Sequence, residues 1–513
     1  PSPYGTGELG PGAFSFVDFL YESGQKLWQV LPVNPTGYGD SPYQSPSSFA
    51  GNFLLISPDL MVKQGYLNED DLIFPEGLDF YKADFNAAKE CKDVIFRKAF
   101  SGFDINDKKY IHFCRKNKVW LEDYTLFSAL KSYFIKERKD NYNPDEHSRY
   151  VSDMEGVLDK NTADDYYFGG VWFSWPDLIR NRDKNAILSY SVLLKDDINY
   201  QKFLQYIFYT QWADLKAYAN SKNISVIGDM PIFVSADSAD MWANHKLFLT
   251  DTYGATDYVL PSFVAGVPPD YFSDTGQLWG NPLYDWEAHK KDGYNWWITR
   301  FKAMLNVFDI IRIDHFRGFE SFWQVPRDEK TAVNGKWVKG PGYLFFKAIE
   351  KELGQLPVIA EDLGIITESV TKLRCRLKYP GMKILQFAFD SDSNNAYLPH
   401  NFKDSNCCVY TGTHDNDTTL GWFLSSDENV RDYVRRYLNI SGEDIAWDFI
   451  RLANGSSADI MITPIQDILS LNGDFRMNTP GTSENNWLFR FKDGDLTSDM
   501  ANGLKYFNSL FNR

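Results

Sequence analysis

The chain has 513 residues, 24% of them charged and 43% hydrophobic, and a formal net charge of −16. That length holds about three ordinary domains, or one large α/β barrel with insertions, and it buries a generous core. The acidic balance argues against nucleic acid and anionic membrane as partners, since both need a basic footprint, and the sequence has no run of 18 apolar residues to span a bilayer. The five cysteines are an odd count without C-x-x-C spacing. They argue against a disulfide scaffold and for a reducing, cytosol-like compartment. No zinc or calcium-loop spacing occurs, so neither a metal nor a cofactor is expected.

Seven short apolar runs, bounded by turn residues, read as buried parallel strands. In chain order they are 27–33, 224–234, 308–314, 358–361, 382–389, 407–413 and 460–466. After the first comes a Gly/Pro-rich loop, NPTGYGDSPYQS, which contains Tyr38, Asp40, Ser41 and Tyr43 and on its own fits an ordinary turn. The interval 58–199 is rich in charged and aromatic residues, with a helix-like stretch at 121–136, and is expected to be an inserted, mostly helical subdomain. Helical spacing of apolar residues returns at 203–219 and at 296–308. Between those two lies GVPPDYFSDTGQLWGNPLYDW, a long, Pro/Gly-rich, aromatic stretch with the composition of an active-site lid, in which Trp279 is the best candidate for stacking on a sugar. Strands alternating with helices predict an α/β fold, either a doubly wound sheet or a (β/α)8 TIM barrel. The barrel would comprise 1–57 and 200–513, with active-site loop insertions at about 236–290. Seven strands is one short of eight, and a strand preceding Pro1 would complete the ring.

In FDIIRIDHFRGF the side chains alternate faces, so Arg312 and Asp314 point the same way. They would face the barrel interior near its C-terminal end, where such barrels keep their active sites. Arg312 would hold Asp314 ionised, although a buried structural ion pair fits as well. PVIAEDLG delivers Glu361 and Asp362 at the end of the next strand, and VYTGTHDND delivers His414 and Asp415 two strands further on. Singly, each acid could equally cap a helix. Together they suit glycoside chemistry, in which one carboxylate attacks the anomeric carbon and a second protonates the leaving oxygen. Ends of neighbouring strands, about 4.8 Å apart, match the roughly 5–5.5 Å separation of a retaining pair. His315 and His414 flank the acids. A metal-binding His-Asp arrangement is a rival, disfavoured by the strand context and the lack of a basic phosphate site. Near the C-terminus, GDFRMNTPGT could close a cleft through Arg476 and Asn478, or be a plain loop.

These residues lie in stretches that resemble the 4-α-glucanotransferases of the amylomaltase type, in glycoside hydrolase family 77 of the α-amylase clan. The stretches are PSPYGTGELG, WQVLPVNPTGYGDSPYQSPSSFAGN, WLEDYTLFSALK, IGDMPIFVSADSADMW, PPDYFSDTGQLWGNPLYDW, IIRIDHFRGF, VIAEDLG, YTGTHDNDT and RMNTPGT, running in order from Pro1 to Thr482. The resemblance implies a (β/α)8 barrel that transfers α-1,4-glucan segments from maltooligosaccharides to glucose or another glucan. Asp314 would be its nucleophile, Glu361 its general acid/base, and Asp415 the stabiliser of the transition state. Arg312, His315 and His414 would line the reactive subsite. Trp279, Tyr43, Ser41, Gln277, Asn281, Pro282 and Asn478 would contact the glucan, Asp270 and its neighbours to Gly276 would form the lid, and Tyr38 would guide the chain or make a secondary glucan contact. The implied compartment is the cytoplasm, with a plastid left open. A hydrolytic α-glucanase of the same clan is the alternative, because the three acids alone do not separate it from a transferase. A non-catalytic glucan-binding protein is disfavoured by the presence of all three acids and Arg312.

Overall fold

The computed structural model describes residues 2–155, 158, 160–253, 258–269, 273–482 and 484–513. Each of the seven apolar runs overlaps a strand: β1 (Leu27–Gln29), β2 (Ser225–Met230), β3 (Ile310–Ile313), β4 (Val358–Ala360), β5 (Gly381–Ile384), β6 (Cys407–Tyr410) and β7 (Ile460–Ile462). All pair in parallel with their neighbours in chain order, β1 to β4 in one sheet and β5 to β7 in another. The two sheets meet where the Ala360 N–H donates to Pro380 O at 2.9 Å. With helices between the strands, this is an α/β barrel of the TIM type. Its β1 and β7 edges border a cavity of about 390 Å³ walled by residues such as Leu27, Gln29, Met461 and Thr463.

Val226, Ile227, Ile311, Ile313, Ile359, Ile384 and Val409 are all buried, as expected of strands covered on both faces. Gly228 interrupts the apolar run in β2 because the Phe308 ring lies 2.1 Å from where a Cβ would stand. The strands stop sooner than the apolar runs. After Ile384 the chain turns through a 3-10 segment, Leu385–Phe389, and after β7 it enters the short helix Ile465–Ile468. Leu385, Phe389 and Ile468 are buried like strand residues, so apolar character alone could not mark the change.

The predicted helical spacings lie within Lys118–Asp140, Lys195–Ser221 and Asn295–Val307, except for Phe308, where the backbone has already become extended. Helices from the long interval share one core with the barrel: Phe96, Trp120 and Phe127 belong to the same buried cluster as Phe203, Trp212 and Phe301. The lid-like stretch departs from a plain loop. Phe263–Val267 and Gln277–Pro282 pair antiparallel and join Ser321–Pro326 and Lys336–Lys339 in a four-stranded sheet. A register shift between Val264 and Gly266 and the terminal Pro282 broke the alternation that would have shown a hairpin. Asp270, read as part of the lid, lies outside the described residues.

The first and last segments are tied together outside the strands. Arg490 donates to Ser2 O and Gly5 O, and the Asn508 amide donates to Gly24 O at 3.0 Å. Lys92, fully buried, pairs with Glu8 at 3.0 Å and donates to Leu54 O and Ile56 O.

His289 is buried among Tyr284, Trp286 and Trp296 with its ring nitrogens outside hydrogen-bond geometry. Burial lowers its pKa to about 4, against weaker pulls from Asp285, Asp292 and the Leu247 backbone. The unfolded chain therefore binds a proton below about pH 6.5 that the folded chain refuses. Stability from this group is fully present above that pH and is lost as pH falls toward 4, by up to about 3 kcal/mol. His289→Phe is expected to flatten the acid side of the urea-unfolding profile by this amount. A profile superimposable on the parent's would reject the assignment.

Candidate active site

The C-terminal ends of β2, β3 and β4 bring their charges together in register. Asp229 of β2 stands opposite Arg312 of β3. The Arg312 Nη1 donates to both Asp229 oxygens, at 2.8 and 2.7 Å, and to Asp314 Oδ1 at 3.1 Å. Asp229 is fully buried, whereas the Asp314 side chain keeps 28% exposure. Strand alternation thus placed Arg312 and Asp314 on one face as read from the sequence. Asp229 was missed, although it is the single charge within β2 and obeys the same rule.

Glu361 follows β4 directly beside Asp314: its N–H donates to Ile313 O at 3.0 Å. Its carboxylate accepts the N–H of His315 at 2.6 Å and that of Leu363 at 2.8 Å. His315 makes the first contact by adopting a left-handed backbone, φ 49°, a region where histidine is enriched. Its Nε2 is buried without a partner among the described residues, and burial lowers the ring pKa to about 3, so the imidazole is neutral.

Burial raises the Glu361 pKa to about 7, against the pull of Arg312 and the two backbone N–H groups. Burial also pushes the Asp314 carboxyl up, with Arg312 opposing and Asp229, Glu361 and Asp415 adding to the push. The two acids compete for one proton. Asp314 is the one in contact with the guanidinium, while the Glu361 carboxylate sits on two backbone N–H groups.

The remaining residues come from the loops. Ser41 accepts the Tyr43 N–H at 3.2 Å and so sets the turn that aims the Tyr43 ring inward. The Tyr43 hydroxyl donates to Asp229 Oδ2 at 2.8 Å and lies 3.0 Å from His414 Nε2. His414 stacks on Tyr43 at 5.3 Å and stands 3.4 Å from Asp415 Oδ2. Asn478 donates to Asp415 Oδ1 at 2.6 Å, and Arg476 to the Asp415 carbonyl at 2.6 Å. Trp279 meets His315 edge to face at 4.8 Å, with its indole N–H on Gln277 Oε1 at 3.1 Å. Asn281 and Pro282 are buried, and Asn281 spends its amide on Val234 O and Gln44. Tyr38 is 79% exposed and stands apart from this cluster. Trp487, which the sequence reading passed over, packs on both Tyr43 and His414.

Carboxylates on neighbouring strand ends, one on an arginine and one with its pKa raised to about 7, at the open end of a parallel barrel, define a class: enzymes that act on glycosidic bonds. The chain belongs to the 4-α-glucanotransferase family, whose model matches residues 1–497. It is 43% identical to the 4-alpha-glucanotransferase of Synechocystis sp., over 100% of this chain and 96% of that protein. It is 42% identical to the chloroplastic/amyloplastic enzyme of Solanum tuberosum, over 96% of this chain and 80% of that one. The amylomaltase from Streptococcus agalactiae, solved in complex with acarbose, superposes with a TM-score of 0.89 at 37% identity, covering 100% of this chain and 97% of its own.

Proposed function

We propose that this 4-α-glucanotransferase works by retaining double displacement, with Asp314 as nucleophile, Glu361 as general acid/base and Asp415 holding sugar hydroxyls at the reacting ring. The observation that carries this reading is the pair itself: two acids on adjacent strand ends, Asp314 on Arg312 and Glu361 on two backbone N–H groups with a pKa of about 7. An Asp314 oxygen attacks the anomeric carbon as Glu361 gives its proton to the glycosidic oxygen, and the reducing-end fragment leaves. Glu361, now ionised, takes the proton of an incoming 4-hydroxyl. That oxygen displaces Asp314, and an α-1,4 bond forms with retained configuration. Arg312 keeps Asp314 ionised, and Tyr43, His414 and Asn478 fix Asp415 and the groups around it. The neutral imidazoles of His315 and His414 suit sugar hydroxyls, and Trp279 offers a ring at the cleft wall. Ser41 and Gln277 act through Tyr43 and Trp279. An acceptor sugar outcompetes water if it is bound and oriented, which is worth several kcal/mol of effective molarity.

Maltooligosaccharides are accordingly the substrates. The segment 58–199 is taken as an inserted unit on the barrel, and the cytoplasm as the compartment. No helix among the described residues is long and apolar enough to cross a membrane.

The test is incubation with maltotriose. Glucose and maltopentaose should appear with total reducing ends constant, whereas a rise of one reducing end per cleavage would select the hydrolytic alternative. Glu361 must be protonated for the first step, so kcat/KM is expected to fall as pH rises through about 7. A profile flat from pH 6 to about 9 would remove Glu361 from that role.

A further inference from the structure

Trp487 has a backbone that a bulky side chain rarely adopts. Its φ is 65°, and that of Asn485 is 60°. Bulky residues seldom enter this region, and they persist there only when their surroundings hold them. Here the hold is specific. The Trp487 N–H donates to Met477 O at 2.7 Å. The Asn486 side chain accepts the Thr479 N–H at 2.8 Å and donates to Thr482 O at 3.1 Å. The segment after Met477 is thus folded back onto itself, and the left-handed turn swings the indole toward the cleft.

There it packs on two rings at once: Tyr43 at 5.7 Å and His414 at 5.9 Å, inclined at 41° and 39°. Those two rings stack on each other, and the Tyr43 hydroxyl lies 3.0 Å from His414 Nε2. The same folded segment presents Asn478 to Asp415, and the Asn478 N–H donates to His414 O at 3.1 Å.

We propose that Trp487 is a positioning residue for the transfer reaction: held by the segment it terminates, its ring fixes the Tyr43–His414 stack that stands between Asp229 and Asp415. Trp487 acts through those rings and not by binding sugar itself. The proposal rests on the roles assigned above to Asp314, Glu361 and Asp415.

The test compares the full-length enzyme with Trp487→Gly, Trp487→Leu and Trp487→Phe in maltotriose disproportionation. Glycine is at ease at this φ, so its effect isolates loss of the ring. The expected result is a kcat about 30- to 100-fold lower for Gly and Leu, with KM within about 3-fold of the parent. Phe should recover most of the rate. If the Gly variant does not fold, as read by circular dichroism, the volume-filling Leu variant decides. A Gly or Leu variant with parental kcat overturns the proposal. So does a raised KM at unchanged kcat, which would make the ring a sugar contact. The parent enzyme is the control: if it fails to transfer at all, the assignment of the reaction fails, whereas parental transfer with an indifferent Trp487 removes this inference alone.

Discussion

Asp314→Asn is expected to lower glucan transfer by about four orders of magnitude or more, and Glu361→Gln by about 10²–10⁴-fold, but the two losses should differ in kind. The amide at 314 cannot attack the anomeric carbon, so no glucosyl-enzyme forms with any donor. The amide at 361 only withholds a proton. An α-glucosyl fluoride, whose leaving group needs no acid, should therefore restore the first step in Glu361→Gln and leave the second step without its base. The covalent glucosyl-enzyme should then accumulate and add its mass to the peptide containing Asp314. Finding no adduct there, or finding one on Asp415, would overturn the assignment. The difference traces to the site itself: of the two acids Asp314 is the one in contact with Arg312, and Glu361 has a pKa raised to about 7.

The second large effect concerns Arg312. Its side chain is almost fully buried, and it neutralises an Asp229 with no exposure at all. Arg312→Met would leave that carboxylate with the Tyr43 hydroxyl in its place. Removing one partner of a buried ion pair costs about 3–5 kcal/mol, because the other charge stays desolvated. The variant is expected to unfold at correspondingly lower urea and to be inactive. Adding Asp229→Asn should return most of the stability, since the orphaned charge is gone, without returning transfer, since Asp314 still lacks its cation. If Arg312→Met unfolded at the parent's urea concentration, the pair would not be bearing on stability.

How far the sequence reveals this site depends on the range of the contact. Arg312, Asp314, Glu361 and Asp415 were legible because strand alternation and strand ends are local rules. Asp229 follows those rules too, but it sits inside an apolar run, and only its register against Arg312 shows that it matters. The hydroxyl of Tyr43 meets partners 186 and 371 residues away, which no local pattern announces. Trp487 lies in an Asn-rich stretch that reads as surface loop, and its packing depends on a left-handed turn that tryptophan propensity argues against. The fold was legible for the same reason as the acids. The seven strands advertise themselves by short apolar runs, although Leu27–Gln29 and Ile460–Ile462 are only half-buried, whereas the small antiparallel sheet over the site is broken by glycine, proline and a bulge.

The left-handed His315 has a stereochemical consequence. Its N–H joins the residue after Asp314 to the Glu361 carboxylate, so the main chain that carries one acid also anchors the side chain of the other. An inverting pair needs about 6.5–9.5 Å between its carboxyl groups to seat a water, and any shift of the Glu361 carboxylate off the His315 N–H gives up that anchor. Shortening Glu361 to aspartate would therefore withdraw it from this anchor, whereas a change at Asp314 leaves the anchor in place.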